Sequence, residues 1–130
     1  MTSIPDILAM GPVMPVIVID DSSKAVPLAQ ALIDGGIRTI EITLRTPAAL
    51  ESIRAVADAC PDILIGAGTV TNEALATSAR DAGARFLVSP GTTDAVIKGA
   101  ADAGLPLLPG ATSVSEIMRL MDAGFSAIKF

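Results

Sequence analysis

A short glycine-ended motif recurs four times along the chain and divides it into similar units. The motif is Asp-Gly-Gly at residues 34–36 and Asp-Ala-Gly at residues 81–83, 102–104 and 122–124. Each copy follows an Ala- and Leu-rich stretch of helical period and precedes a short apolar run. Because glycine commonly ends a helix in the left-handed conformation, each copy predicts a helix that stops and is followed by a strand.

Six apolar runs, roughly 20 to 26 residues apart, are predicted to be strands. They cover residues 13–19, 38–44, 62–68, 85–90, 106–110 and 126–130. The predicted helices cover residues 4–10, 23–34, 47–59, 72–82, 93–103 and 113–123, with Ser23, Thr46, Asn72 and Ser113 as candidate capping residues. Short strands that are apolar on both faces and alternate with helices are typical of parallel βα units.

Such units build either a (β/α) barrel or a doubly wound open sheet. No G-x-G-x-x-G or Walker phosphate loop opens any helix, which favours the barrel. We therefore expect an α/β fold of the (β/α)8 TIM-barrel family, although a closed barrel needs about eight strands and only six are counted. Residues 1–130 are expected to form a single (β/α)-barrel domain, C-terminally truncated after strand 6 or closed by another copy of the chain.

Charge and composition exclude several classes of function. The net charge is -5 and no basic cluster is present, so neither nucleic acid nor an anionic membrane is an expected partner. Gly11, Pro12 and Pro15 interrupt the apolar N-terminal stretch, which therefore predicts neither a signal peptide nor a membrane span. The single Cys60 cannot form an internal disulfide and fits a cytoplasmic location. With no histidine in the chain, no metal site is expected.

Glu41 is the clearest anomaly among the predicted strands. It interrupts the β-branched run Thr-Ile-Glu-Ile-Thr at residues 39–43. If its side chain points into the barrel, burial raises the pKa of the carboxyl and suits it to proton transfer at neutral pH. The alternative is an outward-facing glutamate paired with a cation on a helix.

Three further positions at predicted strand ends are candidate ligand contacts. Arg45 follows the Glu41 strand, where a guanidinium can hold a carboxylate in two-point geometry, or simply close a surface loop. Thr69, in the run Gly-Ala-Gly-Thr-Val, offers a hydroxyl beside two glycines that let the backbone approach a ligand, or else caps the next helix. Pro90, in Ser-Pro-Gly, first predicts a turn that shapes the rim and only second a ligand contact.

Lys129 is the one lysine of three that lies in an apolar strand. Lys24 and Lys98 fall in polar or helical stretches and are expected in solvent. A desolvated lysine near another cation loses its proton more easily and becomes an amine nucleophile for carbonyl compounds. The alternative is a frayed terminal strand that leaves Lys129 in water.

Six motifs together resemble those of the bacterial 2-keto-3-deoxy-6-phosphogluconate (KDPG) aldolases, which include 2-keto-4-hydroxyglutarate (KHG) aldolases. The motifs are GPVMPVIVI, IEITLRT, GAGTV, VSPG, PLLPG and AIKF, in this order. The resemblance implies a class I aldolase on a (β/α)8 barrel, usually trimeric, that acts on 2-keto acids and needs no metal or other cofactor. It implies that Lys129 forms the Schiff base and that Glu41 moves protons. Arg45 and Thr69 would bind the carboxylate of pyruvate, and Pro90 would line its pocket.

The same resemblance shows a departure after Phe130. In the family, the lysine strand continues into Phe-Phe-Pro, and two further βα units bind the substrate phosphate. We expect that the isolated chain exposes apolar surface along its first and sixth strands, is poorly stable or self-associated, and is weak or inactive as an aldolase. Two other functions remain open: an inactive partial barrel that serves as a structural or assembly unit, and a phosphate-binding barrel of another class, such as a different lyase or an isomerase.

Overall fold

Five parallel strands form one sheet whose order follows the chain. The computed structural model describes residues 2–130, with β1 at Val16–Ile17, β2 at Thr39–Thr43, β3 at Leu64–Gly68, β4 at Leu87–Val88 and β5 at Leu107–Leu108. The sixth predicted strand forms only a single parallel bridge, between Lys129 and Gly110, beyond the end of β5. Consecutive strands that pair in parallel confirm the predicted βα arrangement.

Six α-helices alternate with these strands at the predicted places. They are α1 at Ile4–Leu8, α2 at Ala25–Asp34, α3 at Ala49–Ala59, α4 at Glu73–Asp81, α5 at Asp94–Ala103 and α6 at Val114–Asp122. The last glycine of each repeated motif has a positive φ angle, between 67° and 100°, which is the conformation in which glycine commonly ends a helix. In the part of the chain that the structure describes, none of these helices is long and apolar enough to cross a membrane.

The predicted helix caps are right at two positions and wrong at two. The Asn72 and Ser113 side chains each accept a backbone hydrogen bond from the first turn of the following helix. Ser23 instead lies within a short 3-10 helix at Ser22–Lys24 that precedes α2 and is capped by Asp21. The Thr46 hydroxyl donates to the carbonyl of Ile19, and α3 begins without a side-chain cap.

Alternate residues of β2 face two different surroundings. Ile40 and Ile42 are fully buried in the larger apolar cluster, which contains side chains of α2 to α5. Because side chains alternate along a strand, Thr39, Glu41 and Thr43 project to the opposite, inner face of the sheet. On that face a smaller cluster contains Ile4, Ile7, Phe86, Val88 and Leu108, so α1 packs against the sheet there. Both faces of the sheet are therefore covered, as a parallel sheet requires.

β1 is much shorter than predicted, and its side chains are partly open to solvent. It pairs only with β2, and Pro12 and Pro15 have no N–H with which to extend the ladder. Val16 and Val18 are about half exposed, which confirms the expectation of apolar surface along the first strand. A second exposed apolar stripe, which the sequence did not predict, lies on α6 and consists of Val114, Met118 and Met121.

Candidate active site

Glu41 lies at the centre of β2 and points to the inner face of the sheet. Its backbone N–H donates to the carbonyl of Pro15 at 2.9 Å, and its side chain is only 3% exposed. The carboxylate lies over Gly68 of β3, where a Cβ atom would overlap it. The inward orientation is thus the observed one, and it depends on a glycine in the neighbouring strand.

Lys129 reaches the same place from the end of the chain. Its Nζ lies 3.6 Å from Oε2 of Glu41, and its side chain remains 40% exposed. Two backbone hydrogen bonds hold it: its N–H donates to the carbonyl of Pro109 at 2.9 Å, and its carbonyl accepts from the N–H of Ala111 at 3.0 Å. The amine therefore has a carboxylate on one side and solvent on the other.

Burial and charge act in opposite directions on the Glu41 carboxyl. Desolvation is the larger effect and raises its pKa above the ordinary value of 4.5. The nearby positive charge of Lys129, and then the charge of Arg45, partly offset this rise. A carboxyl whose pKa is raised in this way both accepts and returns a proton more readily near neutral pH.

Arg45, Thr69 and Pro90 follow the carboxyl ends of β2, β3 and β4, so all three lie at the carboxyl-terminal end of the sheet, as the Lys129 bridge beyond β5 does. Arg45 is exposed in the turn after β2. Thr69 is half-buried and has a φ of 60°, which is unusual for a β-branched residue and is the kind of backbone strain often found at functional sites. Pro90 is exposed and follows the fully buried Ser89.

The comparison with known families agrees with this geometry. The family model for KDPG and KHG aldolases matches residues 4–130. The chain belongs to this family. It is 49% identical over 129 residues to the 2-dehydro-3-deoxy-phosphogluconate aldolase of Dickeya dadantii and 46% identical over 129 residues to the KHG/KDPG aldolase of Escherichia coli, covering 99% of this chain and 61% of each relative.

A solved structure of the same family has a very similar backbone. The KDPG aldolase of Legionella pneumophila, with pyruvate captured as a covalent carbinolamine intermediate, is 43% identical and superimposes with a TM-score of 0.91, covering 96% of this chain and 61% of that one. The predicted fold class, an α/β chain of the (β/α)8 TIM-barrel family, is confirmed. The chain spans about 60% of the length of these KDPG and KHG aldolases.

The sequence does not by itself identify three residues that contribute to the site, namely Gly68, Ser89 and Thr92. The glycines of the run Gly-Ala-Gly-Thr-Val are predicted to let the backbone approach a ligand. In the structure, Gly68 instead makes room for the Glu41 side chain. Ser89 and Thr92 hydrogen-bond to each other and to Gly110, which is the bridge partner of Lys129. The only signal for these two hydroxyls is their place at the end of the predicted strand over residues 85–90 and in the turn that follows it.

Two cavities of about 670 and 390 Å³ lie at the amino-terminal end of the sheet, away from Glu41 and Lys129. Both are lined by Leu64, Gly83 and Arg85, and neither includes Glu41 or Lys129. Residues 2–130 contain no group of three or more His, Cys, Asp or Glu side chains placed to hold a metal ion. The candidate active site is thus defined by the contact between the Glu41 carboxylate and the Lys129 amine on the inner face of the sheet.

Proposed function

We propose that this chain carries the Schiff-base pair of the class I aldolase reaction of its family, which cleaves KDPG to pyruvate and glyceraldehyde 3-phosphate and KHG to pyruvate and glyoxylate, and that the 130 residues alone catalyse it weakly. One observation carries the proposal: the Lys129 amine lies 3.6 Å from the buried Glu41 carboxylate within a chain that matches the family over residues 4–130. Schiff-base chemistry needs an amine that can pass a proton to a nearby acceptor before it attacks a ketone.

Lys129 is the nucleophile in this proposal. Its ammonium gives up a proton, for which Glu41 is the nearest acceptor, and the free Nζ attacks the C2 ketone of the substrate. The hydroxyl of the resulting carbinolamine takes this proton back from Glu41 and leaves as water, which gives an iminium whose positive nitrogen draws electrons from the neighbouring bonds. The covalent pyruvate carbinolamine seen in the Legionella pneumophila relative supports this step. Since the iminium is the electron sink, no metal or organic cofactor is required.

Glu41 moves protons in the later steps. Its carboxylate takes the proton from the C4 hydroxyl, the O–H electron pair forms the second bond of the aldehyde carbonyl, and the C3–C4 electron pair forms the double bond of an enamine as the iminium nitrogen takes up the C=N pair. Glu41 then returns the proton to C3, and water releases pyruvate from Lys129. The raised pKa of the Glu41 carboxyl supports both the uptake and the return of the proton. It brings the free energies of the protonated and ionised carboxyl closer together near neutral pH.

Arg45, Thr69 and Pro90 form the proposed pyruvate subsite. The Arg45 guanidinium pairs with the C1 carboxylate in two-point geometry, and the Thr69 hydroxyl donates to the same group. Pro90 lines the pocket on the β4 side. What supports this assignment is the position of all three at the ends of neighbouring strands, together with the effect of the Arg45 charge on Glu41.

Three wider features belong to the same proposal and rest on the family resemblance. Residues 1–130 act as one (β/α)-barrel domain, the chain assembles as a homotrimer, and it works in the cytoplasm on small 2-keto acids. Neither nucleic acid nor a membrane is part of this function, since the chain carries a net charge of -5 without a basic cluster.

Pyruvate release from KDPG, followed with a coupled lactate dehydrogenase assay, tests the proposal. We expect Lys129→Met to reduce release at least about a thousandfold, as the loss of a covalent nucleophile does. The matched control is Lys98→Met, which removes an exposed lysine that pairs with Glu73 and Asp102. Equal rates for Lys129→Met and the unsubstituted chain would overturn the proposal, as would an unsubstituted chain that neither releases pyruvate nor forms an adduct with it.

A further inference from the structure

Two hydroxyl groups and the backbone N–H and C=O of one residue, Gly110, form a closed ring of hydrogen bonds beside Lys129. The N–H of Gly110 donates to Oγ of Ser89 at 3.3 Å, and Oγ1 of Thr92 donates to the carbonyl of Gly110 at 3.0 Å. The two hydroxyl oxygens lie 3.0 Å apart. Because a hydroxyl has one proton and that of Thr92 is already used, Ser89 must donate to Thr92. Every member of the ring both donates and accepts once, which strengthens each bond.

This Ser89–Thr92–Gly110 ring acts on the backbone that holds Lys129. Gly110 is the bridge partner of Lys129, and the peptide groups on either side of Gly110 make both backbone hydrogen bonds to that lysine. A Cβ atom at Gly110 would overlap the carbonyls of Ser89 and Pro90, so the loop after β4 is packed tightly against this residue. Ser89 is fully buried, and its own N–H donates to the carbonyl of Leu108 at 3.2 Å. The ring therefore fastens the Lys129 segment to the ends of β4 and β5.

We propose that Ser89 and Thr92 are positioning residues that hold the Lys129 amine against Glu41 by fixing Gly110. This inference rests on the proposed function, although the two hydroxyls need not touch the substrate. Without the ring, the Lys129 segment keeps two backbone hydrogen bonds, but the peptide groups on either side of Gly110 that provide them are no longer fixed. The amine then spends less time within reach of Glu41 and of a bound ketone, and a small misplacement of a reacting group slows a reaction strongly.

The test compares Thr92→Val, which removes the ring hydroxyl at constant shape, with Thr92→Ser, which restores it. Thr77→Val, at an exposed position of α4, is the matched control, and Ser89→Ala breaks the ring at a second point. Two quantities are measured in the full 130-residue chain: amide hydrogen exchange at Lys129 and Ala111, with the buried Ala67 amide as reference, and the rate at which borohydride traps pyruvate on Lys129.

We expect Thr92→Val and Ser89→Ala to speed exchange at Lys129 and Ala111 about tenfold and to slow trapping by a similar factor, in keeping with the loss of two hydrogen bonds of modest net strength from the ring. Thr92→Ser and Thr77→Val should stay within about twofold of the unsubstituted chain. Unchanged exchange in Thr92→Val, or equal impairment in Thr92→Ser, would overturn the inference. An unsubstituted chain that traps no pyruvate would overturn the proposed function instead. The exchange rates at Lys129 and Ala111 would then show by themselves whether the ring fixes the Lys129 segment.

Discussion

The two members of the candidate catalytic pair are held in opposite ways. Glu41 lies in the middle of a five-residue strand with neighbours on both sides, and its side chain is 3% exposed. Lys129 is held at a single bridge by two backbone hydrogen bonds, and its side chain is 40% exposed. The sheet core thus fixes the carboxylate, whereas a few local bonds around Gly110 fix the amine.

This difference separates stability from reactivity. Changes around Glu41 disturb packed residues of β2 and β3, so they should affect unfolding and chemistry together. Changes around Lys129 involve a segment with few packed neighbours, so they should affect chemistry while leaving most of the sheet intact. The following predictions test that separation, beginning with the largest expected effect.

Gly68→Ala should damage both properties at once. The new Cβ atom overlaps the Glu41 carboxylate, so either the side chain or the strand must move. We expect a loss of about 1–3 kcal/mol in the free energy of unfolding from overpacking. Pyruvate trapping on Lys129 should slow about a hundredfold because the carboxylate is displaced. Urea unfolding and trapping rates measure the two effects. Gly11→Ala, where a Cβ meets open space, is the control, and identical behaviour of the two variants would contradict the account.

Amide exchange in the unsubstituted chain should separate the two regions without any mutation. The Ala67 N–H in β3 donates to the carbonyl of Phe86 within the packed sheet, whereas the Lys129 N–H donates to Pro109 at the bridge. We expect the Lys129 amide to exchange at least about tenfold faster than the Ala67 amide, through local opening and not global unfolding. NMR-detected exchange measures this ratio. Equal protection at the two amides would show that the lysine segment is as firmly held as the core.

Glu41→Gln should change how stability depends on pH. Because the folded-state pKa of Glu41 lies above its ordinary value of 4.5, the folded chain binds more protons than the unfolded chain between these two pKa values. The contribution of Glu41 to stability is therefore greatest below its ordinary pKa and falls as the pH rises through this window. Relative to the unsubstituted chain, Glu41→Gln should gain stability across the same window and then level off. Thermal unfolding against pH measures this, with the exposed Glu51→Gln as control. A constant difference at all pH values would contradict the prediction.

Local signals in the sequence were sufficient for the helices and for the candidate pair. The glycines of the four Asp-Gly-Gly and Asp-Ala-Gly motifs have the left-handed φ angles that end helices, and these angles depend on residue type more than on distant contacts. Glu41 and Lys129 stood out because each is an ionisable side chain inside an apolar strand. The family resemblance supplied the roles assigned to both residues, and those roles stay predictions.

Other features depend on contacts that are distant in the sequence. β1 pairs with one strand, and the run of apolar residues around Val16 carries no information on how many partners it has. Thr46 resembles a helix cap in sequence, yet its hydroxyl donates to Ile19 of the preceding βα unit. In the sequence, Ser89 and Thr92 resemble ordinary turn residues. Their hydrogen bonds to the Gly110 backbone exist only because the fold brings this distant residue beside them.

Borohydride reduction in the presence of pyruvate, followed by peptide mapping of the three lysines, tests the central claim most directly. The account predicts a reduced pyruvate adduct on Lys129, with little on Lys24 or Lys98. Lys98 is a useful internal reference, because hydrogen bonds and ion pairs with Asp102 and Glu73 raise the pKa of its amine and keep it protonated. No adduct, or equal labelling of all three lysines, would contradict the claim that Glu41 and Lys129 form a working Schiff-base site in this chain.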